Sequence, residues 1–309
     1  MGNIDGVQGY HFSPEILPLL WLSEVCVPGK ELGKNEEWQI HEKELITQDD
    51  YKEIIADGFP QWQQKFFKEK LGDTMAKAAP YFQYDPIAKQ RGIEAGIFNI
   101  REGVIATPFE MFCGGRSLTT FFMDDLIGAP NLVDEVFKVT HEFTLKNTED
   151  LFRSEAKPYG VWIGGWRATP GMLSPEMFER FSWKYYKEMV DLCISYGVVP
   201  IMHLDSNWTP GLHYFKEFPA GKCIMALDGK TDIFSAKEVV GDKMCIMGDV
   251  PAELFAFGKP EEVYNYIKDR ATRIGPKGYM ICSGCDIPFN AKYENVKMMA
   301  KVADDLAKR

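Results

Sequence analysis

From about residue 100 onward, short apolar runs alternate with longer amphipathic segments. The apolar runs have the length of buried strands and end in polar or glycine-containing tips, whereas the segments between them repeat apolar residues with helical spacing. This alternation is typical of βα units arranged around a parallel sheet. The predicted strands cover residues 103–112, 159–163, 198–203, 222–227, 244–248 and 279–283.

Two of the intervening segments carry clear helix boundary signals. The segment 174–196 begins with Ser174, a favoured N-cap residue, and Gly197 follows its end. The segment 260–274 is followed by Gly275, and its apolar residues recur on one face. Both segments are therefore predicted to be helices that pack on the sheet.

The first third of the chain follows a different pattern. Tryptophan residues recur there among helix-like segments rich in Glu, Lys and Gln, which indicates a helical cap over residues 1–95. The whole chain, 1–309, is predicted to be a single (β/α)8 TIM-type barrel domain, with its βα repeats in 96–309. No G-x-G-x-x-G motif follows a first strand, which disfavours a doubly wound open sheet.

Charge and composition narrow the class of protein. A formal net charge of −10, without an opposing cluster of Lys and Arg, argues against nucleic acid as a partner. The longest apolar stretches are interrupted by proline and fall short of the ~20 residues of a membrane-spanning helix, and no leader-like segment opens the chain. Seven cysteines, an odd number, suit reduced thiols better than a disulfide framework. The sequence therefore predicts a soluble cytoplasmic protein.

The tips of two predicted strands carry metal-ligand residue types. His203 and Asp205 follow the apolar run that ends near residue 203, and Cys285 follows the run that ends at residue 283. Alternation places Cys282 within its strand, whereas Cys285 lies beyond Gly284 at the tip. Because the carboxyl ends of parallel strands meet at one edge, an imidazole, a carboxylate and a thiol are expected to share one pocket there.

Several short motifs along the chain resemble a known family. They are Ser174-Pro175-Glu176-Met177-Phe178, His203-Leu204-Asp205, Gly248-Asp249-Val250-Pro251, Gly258-Lys259-Pro260 and Ser283-Gly284-Cys285-Asp286-Ile287-Pro288. In this order, over roughly residues 100–305, they resemble the uroporphyrinogen decarboxylase superfamily. The match is most similar to its corrinoid-dependent methyltransferase branch, which includes O-demethylase methyltransferases. That resemblance implies a barrel, a zinc ion and a corrinoid (cobalamin) carried by a partner protein.

Two departures from the superfamily patterns distinguish its branches. The decarboxylases that the chain resembles have an arginine-rich N-terminal segment, but the first arginine here is Arg91, which disfavours porphyrinogen decarboxylation. The thiol-methylating relatives have His-x-Cys where this chain has His203 and Asp205. A carboxylate is a harder, less donating ligand than a thiolate and leaves zinc more electrophilic. The hypothesis is therefore a zinc site of His203, Asp205 and Cys285 that activates a methyl ether.

Alternatives to this ligand set stay open. An equal alternative is that Asp205 does not bind the metal and instead orients His203 through a hydrogen bond. A second hypothetical set, Glu217, Cys245 and Cys285, resembles a zinc spacing of ether-cleaving methyltransferases, although Glu217 falls late in a short predicted helix.

The substrate pocket is predicted from other strand ends, which are unusually aromatic. Trp166, Trp208 and the run around Glu110 suit a flat aromatic ring, with Asn207 beside them. Arg167 is the expected partner of a substrate carboxylate or phenolate. The alternative interpretation makes the aromatic residues ordinary core and Arg167 a member of an ion pair. Asp249 is a third candidate catalytic residue, besides the predicted ligands His203 and Cys285. It is predicted to act as a general acid or to support a metal ligand. An equal alternative is that it caps the helix that follows.

Three classes of function follow from these predictions. The first is transfer of a methyl group from a methoxylated small molecule, expected to be aromatic, to a Co(I) corrinoid protein; transfer from a methyl corrinoid to a thiol is its alternative. The second is a metal-free decarboxylase or lyase on the same barrel. The third is a non-catalytic barrel. The direction of transfer, the methyl donor and homo-oligomerisation are left open.

Overall fold

One parallel sheet of six strands organises the protein. The computed structural model describes residues 6–7, 16–72 and 74–308. The strands are β1 Gly6–Val7, β2 Val25–Cys26, β3 Gln39–Ile40, β4 Phe98–Asn99, β5 Gly103–Ile105, β6 Gly160–Gly165, β7 Val199–Leu204, β8 Ile224–Leu227, β9 Cys245–Val250 and β10 Tyr279–Ser283. Strands β5 to β10 form the sheet in chain order, β1 pairs in parallel with β4, and β2 and β3 form an antiparallel pair.

Helices connect successive strands of the sheet. They are α1 Leu17–Trp21, α2 Gln48–Asp57, α3 Phe59–Lys70, α4 Thr74–Glu94, α5 Pro108–Gly115, α6 Leu118–Thr120, α7 Pro130–Arg153, α8 Pro175–Phe178, α9 Lys184–Ser195, α10 Ile233–Val240, α11 Ala252–Phe257, α12 Pro260–Ile274 and α13 Tyr293–Ala307. The π-helical segments Phe121–Ile127 and Glu179–Trp183 and the 3-10 segment Thr209–Glu217 complete the helical structure. The predicted alternation of strands and helices is confirmed.

The two helix predictions are confirmed together with their boundary signals. The Ser174 side chain accepts a hydrogen bond from the Met177 backbone N–H, and Gly197 adopts a φ of 68° beyond α9. The helix α12 runs from Pro260 to Ile274 and Gly275 follows with a φ of 100°. Glycine adopts this left-handed backbone at little cost, so it ends both helices.

The predicted strand over 103–112 is wrong in its second half. β5 ends at Ile105, and Pro108 then begins α5 with Thr107 as its N-cap residue. Proline is favoured in the first turn of a helix because its φ is already helical and it needs no N–H partner there. The segment 108–115, apolar apart from Glu110, is a fully buried helix, and a buried helix cannot be told from a buried strand by hydrophobicity alone.

The helices of the first 95 residues pack against this buried helix. Tyr51 of α2, together with Phe59 and Trp62 of α3, contacts the ring of Phe112 at centroid distances of 5.3 to 6.4 Å. Gly115 permits close approach, since a Cβ there would lie 2.5 Å from the carbonyl oxygen of Leu22. None of the described helices is both long enough and apolar enough to cross a membrane.

Candidate metal centre

The tips of β7 and β10 bring His203, Asp205 and Cys285 together. Ligand atoms of the three side chains all lie within 4.8 Å of one another, and His203 Nε2 is 3.0 Å from Asp205 Oδ1. His203 is buried, Asp205 is partly buried and Cys285 is exposed, so the cluster opens to solvent on the cysteine side. The three residues singled out as ligands by sequence therefore share one site.

The loop after β10 makes this meeting possible. β8 and β9 lie between β7 and β10 in the sheet. In a flat sheet, three strand spacings of about 4.8 Å would separate β7 from β10 by about 14 Å. The donor atoms of His203 and Cys285 nevertheless lie within 4.8 Å of each other. Cys285 is not in β10 but in the loop after it: the Gly284 N–H donates to the Val250 carbonyl oxygen at 2.8 Å, and a Cβ on Gly284 would lie 2.6 Å from the Asp228 carbonyl oxygen. The loop therefore crosses β9 and brings the thiol to the end of β8, beside His203.

Asp228, at the end of β8, fastens the loops that carry the cluster. Its carboxylate accepts the Ser206 N–H at 2.8 Å and the Lys230 N–H at 2.8 Å. Ser206 has a φ of 67°, an uncommon left-handed conformation for serine, so this hydrogen bond holds the turn directly after Asp205. Gly284 lies so close that a Cβ there would be 2.6 Å from the Asp228 carbonyl oxygen. One residue thus positions the tips of β7 and β10.

Asp228 was not among the site residues predicted from the sequence. The signal was present, because Asp228 follows the apolar strand β8 and precedes Gly229, the same strand-to-polar-tip pattern that identified His203 and Asp205. Burial raises the pKa of Asp228, and the N–H groups of Lys230 and Ser206 lower it.

The electrostatics of His203 favour a charged imidazole when no metal is bound. Burial lowers its pKa, but the neighbouring Asp205 and Cys285 raise it, and the net result is a pKa of about 10. The short contact between His203 and Asp205 is then an ion pair. A metal that binds Nε2 needs the neutral imidazole, so metal binding here would release a proton.

An aromatic wall adjoins the cluster. The indole of Trp162 lies 5.2 Å from the His203 ring, and Trp21 of α1 contacts Trp162 and Trp166 at 6.2 and 5.8 Å. Gly164 is required beneath Trp162, because a Cβ at that position would overlap the indole. Nε1 of Trp21 is buried and has no hydrogen-bond partner in the described part of the chain. Trp21 and Trp162 were not among the predicted site residues.

Glu110 and Trp208 do not line a substrate pocket. Glu110 is fully buried on α5, and its carboxylate accepts the backbone N–H groups of Trp166, Arg167 and Ala168 at 2.7 to 3.2 Å. Trp208 is fully buried too, and its indole N–H donates to the Asp205 carbonyl oxygen at 2.9 Å. The sequence predictions of substrate contact for these two residues are wrong. Both instead hold backbone that carries the site.

Arg167 has partners within the protein. Its guanidinium donates to the Cys113 carbonyl oxygen at 2.9 Å, pairs with the Glu42 carboxylate and stacks at 3.9 Å over the ring of Trp166. The alternative interpretation of Arg167 as an ion-pair member is therefore the one that the geometry supports. Because Glu42 comes from the N-terminal region, this ion pair ties that region to the aromatic wall.

Asp249 and Asn207 lie on a separate open cleft of about 370 Å³. Asp249 is buried, and its Oδ1 accepts a hydrogen bond from Arg270 Nε at 2.9 Å. Burial raises the pKa of Asp249 and the charge of Arg270 lowers it. Asp249 is not the cap of the next helix, since Pro251 occupies the N-cap position of α11. Asn207 is exposed, and its side chain accepts the Thr209 N–H.

The alternative ligand set is wrong. Cys245 opens β9, whereas Cys285 follows the end of the adjacent parallel strand β10, so the two thiols lie at opposite edges of the sheet. Glu217 ends the 3-10 segment, where Lys187 lies 4.0 Å away. Only His203, Asp205 and Cys285 form a group of potential metal ligands among the described residues.

The protein has a parallel sheet and a cluster of potential metal ligands at the carboxyl ends of its strands. These features are typical of α/β proteins whose functional residues lie at the carboxyl ends of the strands. The sequence model of the uroporphyrinogen decarboxylase (URO-D) family matches residues 100–306 of this chain. The chain therefore belongs to the URO-D family, as its motifs predicted.

Two curated relatives are similar over part of their length. The uroporphyrinogen decarboxylase of Trichodesmium erythraeum is 26% identical over 139 residues, which are 44% of this chain and 38% of the relative. The uroporphyrinogen decarboxylase of Hordeum vulgare is 28% identical over 133 residues, 42% of this chain and 39% of the relative. The aligned region thus spans less than two fifths of either relative.

Among solved structures, a methyltransferase from Methanosarcina mazei is similar over nearly the whole chain. The TM-score is 0.66, and the superposition covers 98% of this chain and 81% of the methyltransferase. Sequence identity is only 15%, so this likeness establishes a shared fold.

Proposed function

We propose that this protein is a zinc- and corrinoid-dependent methyltransferase that takes a methyl group from a methoxylated aromatic compound. The observation that carries the proposal is the convergence of the His203, Asp205 and Cys285 donor atoms within 4.8 Å at the open edge of the sheet. Membership of the URO-D family and the fold shared with a methyltransferase support this choice of branch.

The donor set fits zinc. One nitrogen, one carboxylate oxygen and one thiolate are ligands that zinc accepts, and three protein ligands leave a fourth tetrahedral position for a substrate atom. His203 belongs to β7 and Asp205 directly follows that strand, while Cys285 approaches from the exposed side. Without a metal, His203 and Asp205 form the ion pair described above, which keeps these two side chains in place.

The scaffold is inferred to be a (β/α)8 barrel. The six-stranded parallel sheet and the separate parallel pair of β1 and β4 together have eight strands, the number such a barrel uses. The site then lies at the carboxyl-terminal mouth, where barrel enzymes hold their catalytic residues.

Each part of the site has a role in this proposal. Bound zinc would polarise the ether oxygen, and a Co(I) corrinoid on a partner protein would accept the methyl group. Asp205 supplies a hard, weakly donating ligand, while His203 is held by its contact with Trp162. The aromatic wall of Trp21, Trp162 and Trp166 would bind the flat ring of the methyl donor. The exposed side of the site, near Cys285, leaves space for the corrinoid protein to approach.

The decisive experiment combines the purified protein with zinc, a Co(I) corrinoid protein and a panel of methoxybenzoates. The expected result is conversion of the Co(I) absorption spectrum to that of methyl-Co(III), with release of the corresponding phenol. The His203→Ala variant should abolish it and Cys282→Ala should not. Activity only between a methyl corrinoid and a thiol would establish the reverse direction. Substrate decarboxylation without zinc would overturn the proposal in favour of a lyase.

A further inference from the structure

The loop after β10 carries one of the candidate metal ligands but has little regular structure. Residues 284–292 connect β10 to α13, and Cys285 and Phe289 within them are exposed. His203 and Asp205, by contrast, are directed by strand β7. A thiol on an exposed loop loses conformational freedom when it binds a metal. Contacts that hold the loop beforehand therefore increase the affinity for the metal.

Two hydrogen bonds from the N-terminal region hold this loop. Trp38 Nε1 donates to Asp286 Oδ2 at 3.1 Å, and Glu37 Oε1 accepts the Phe289 N–H at 2.8 Å. Asp286 directly follows Cys285, so the two Cα atoms are about 3.8 Å apart. Fixing the Asp286 carboxylate therefore restricts where the Cys285 thiol lies.

Trp38 is itself held in place by packing and by backbone pairing. Its ring packs against the main hydrophobic core, and it directly precedes β3, which pairs with β2. Beyond β3, the His41 N–H donates to the Glu24 carbonyl oxygen at 2.9 Å. A tryptophan side chain has only two rotatable bonds, so an anchored indole presents its N–H in a defined direction.

The segment that Glu37 begins also reaches the aromatic wall. We call residues 37–46 the strap. Within it, the Glu42 carboxylate pairs with the Arg167 guanidinium, which stacks on that wall. At the end of the strap, the Ile46 N–H donates to the carbonyl oxygen of the last residue of α5 at 3.0 Å. The strap is thus fixed away from the loop and is a firm support for it.

We infer that Trp38 and Glu37 are positioning residues that hold the Cys285 thiol beside His203, ready to bind a metal. The strap precedes residues 100–306, the part of the chain that the URO-D model matches, so family membership does not imply this role. The inference rests on the proposed function for the identity of the metal. The two hydrogen bonds themselves join protein atoms only, so their hold on the loop is tested without a metal as well.

Competition with a chromophoric chelator measures the zinc affinity of the full chain and its variants. Trp38→Phe keeps an aromatic ring and removes the N–H donor, and it should weaken zinc binding about tenfold. Glu37→Ala should have a similar effect. Glu37→Gln retains an acceptor oxygen for the Phe289 N–H and should bind zinc like the parent. Glu36→Ala, at the exposed neighbouring position, is the matched control.

A combined variant tests whether Trp38 acts through Asp286. In an Asp286→Ala background the indole N–H has lost its acceptor, so adding Trp38→Phe should cause no further loss of zinc affinity. An effect through the packing of Trp38 in the core would instead add to that of Asp286→Ala. Circular dichroism checks that each variant folds. If Trp38→Phe does not fold, Glu37→Ala and its rescue by Glu37→Gln decide the inference.

Hydrogen exchange of the metal-free protein distinguishes a failure of this inference from a failure of the proposed function. Glu37→Ala should speed exchange of the Phe289 amide at least about tenfold and leave the helices unchanged. If the parent binds no zinc but exchange responds in this way, the metal proposal is wrong and the hold on the loop is supported. Unchanged exchange in Glu37→Ala would overturn the inference. Unchanged zinc affinity in Trp38→Phe and Glu37→Ala, or additive losses in the combined variant, would overturn it as well.

Discussion

His203 Nε2 and Asp205 Oδ1 lie 3.0 Å apart at the end of one strand, with the Cys285 thiol of a distant loop close to both. Because strand residues separated by one position point to the same face, the imidazole and the carboxylate are directed together by the strand itself. The thiol comes from the loop after β10 and completes the group. This relationship makes the metal content of the protein its most direct test.

We expect the purified protein to hold about one zinc per chain. The His203→Ala and Cys285→Ala variants each lose one of three ligands and should retain little metal after dialysis. Inductively coupled plasma mass spectrometry measures the zinc content of each protein. Cys282→Ala, a thiol in the same segment but within β10, is the matched control and should keep its zinc. Full zinc retention in both ligand variants would place the metal elsewhere.

Asp228→Asn should weaken zinc binding by about 10- to 100-fold, the usual effect of losing a residue that orients ligands. Asparagine offers one acceptor oxygen, so it cannot accept both the Ser206 and the Lys230 N–H groups in the way that two carboxylate oxygens do. Competition with a chromophoric chelator measures the affinity.

Asp232→Asn is the control for this change. Asp232 also accepts backbone N–H groups, as the N-cap of α10, and asparagine caps helices equally well. An affinity that is unchanged in Asp228→Asn would show that the turn at Ser206 holds without that carboxylate.

Glu110→Gln should change how stability depends on pH. Burial raises the pKa of Glu110 to about 7, and the N–H groups of Ala168, Arg167 and Trp166 lower it only in part. The folded protein therefore holds a proton that the unfolded chain releases at about pH 4.3, and stability falls as the pH rises from there to about 7. The total loss is up to about 3 kcal/mol.

Urea unfolding of parent and variant across about pH 5 to 8 measures this slope. The Glu110→Gln variant has no titratable group at that position, so its free energy of unfolding should fall less over that range. Glu135→Gln, an exposed position on α7, should keep the slope of the parent. A parent slope that persists in Glu110→Gln would assign it to other groups.

Trp21→Phe should weaken binding of a methoxybenzoate about tenfold, the effect of one lost hydrogen bond to a charged acceptor. Nε1 of Trp21 is buried beside Trp162 and Trp166 without a partner in the described chain, so we expect it to donate to an oxygen on the far side of the substrate ring. Methoxybenzene, which lacks that oxygen, is the control ligand and should bind parent and variant alike. An equal loss for both ligands would show that only the shape of the ring matters.

The sequence predicted which three residues cluster at the strand tips, because strand tips have a simple local pattern. Alternation in 280–285 separated the Cys285 tip from Cys282, and the apolar run before His203 identified its strand. It predicted α5 poorly, because a buried run over 108–115 that is apolar apart from Glu110 suits a buried strand and a buried helix alike. The burial of Trp208 and Glu110 depends on neighbours far along the chain, which no local pattern contains.

The sequence by itself determined the order of strands and helices, the helix ends at Gly197 and Gly275, and the residue types that reach the strand tips. These depend on short-range spacing and backbone preference. Tertiary structure alone decided that the Cys285 thiol reaches His203 across two intervening strands, that Asp228 contacts both loops of the site, and that Trp162 rather than Trp208 lies against His203. The physical reason is that these contacts depend on the packing of all strands, loops and helices together, which brings residues distant in sequence into contact.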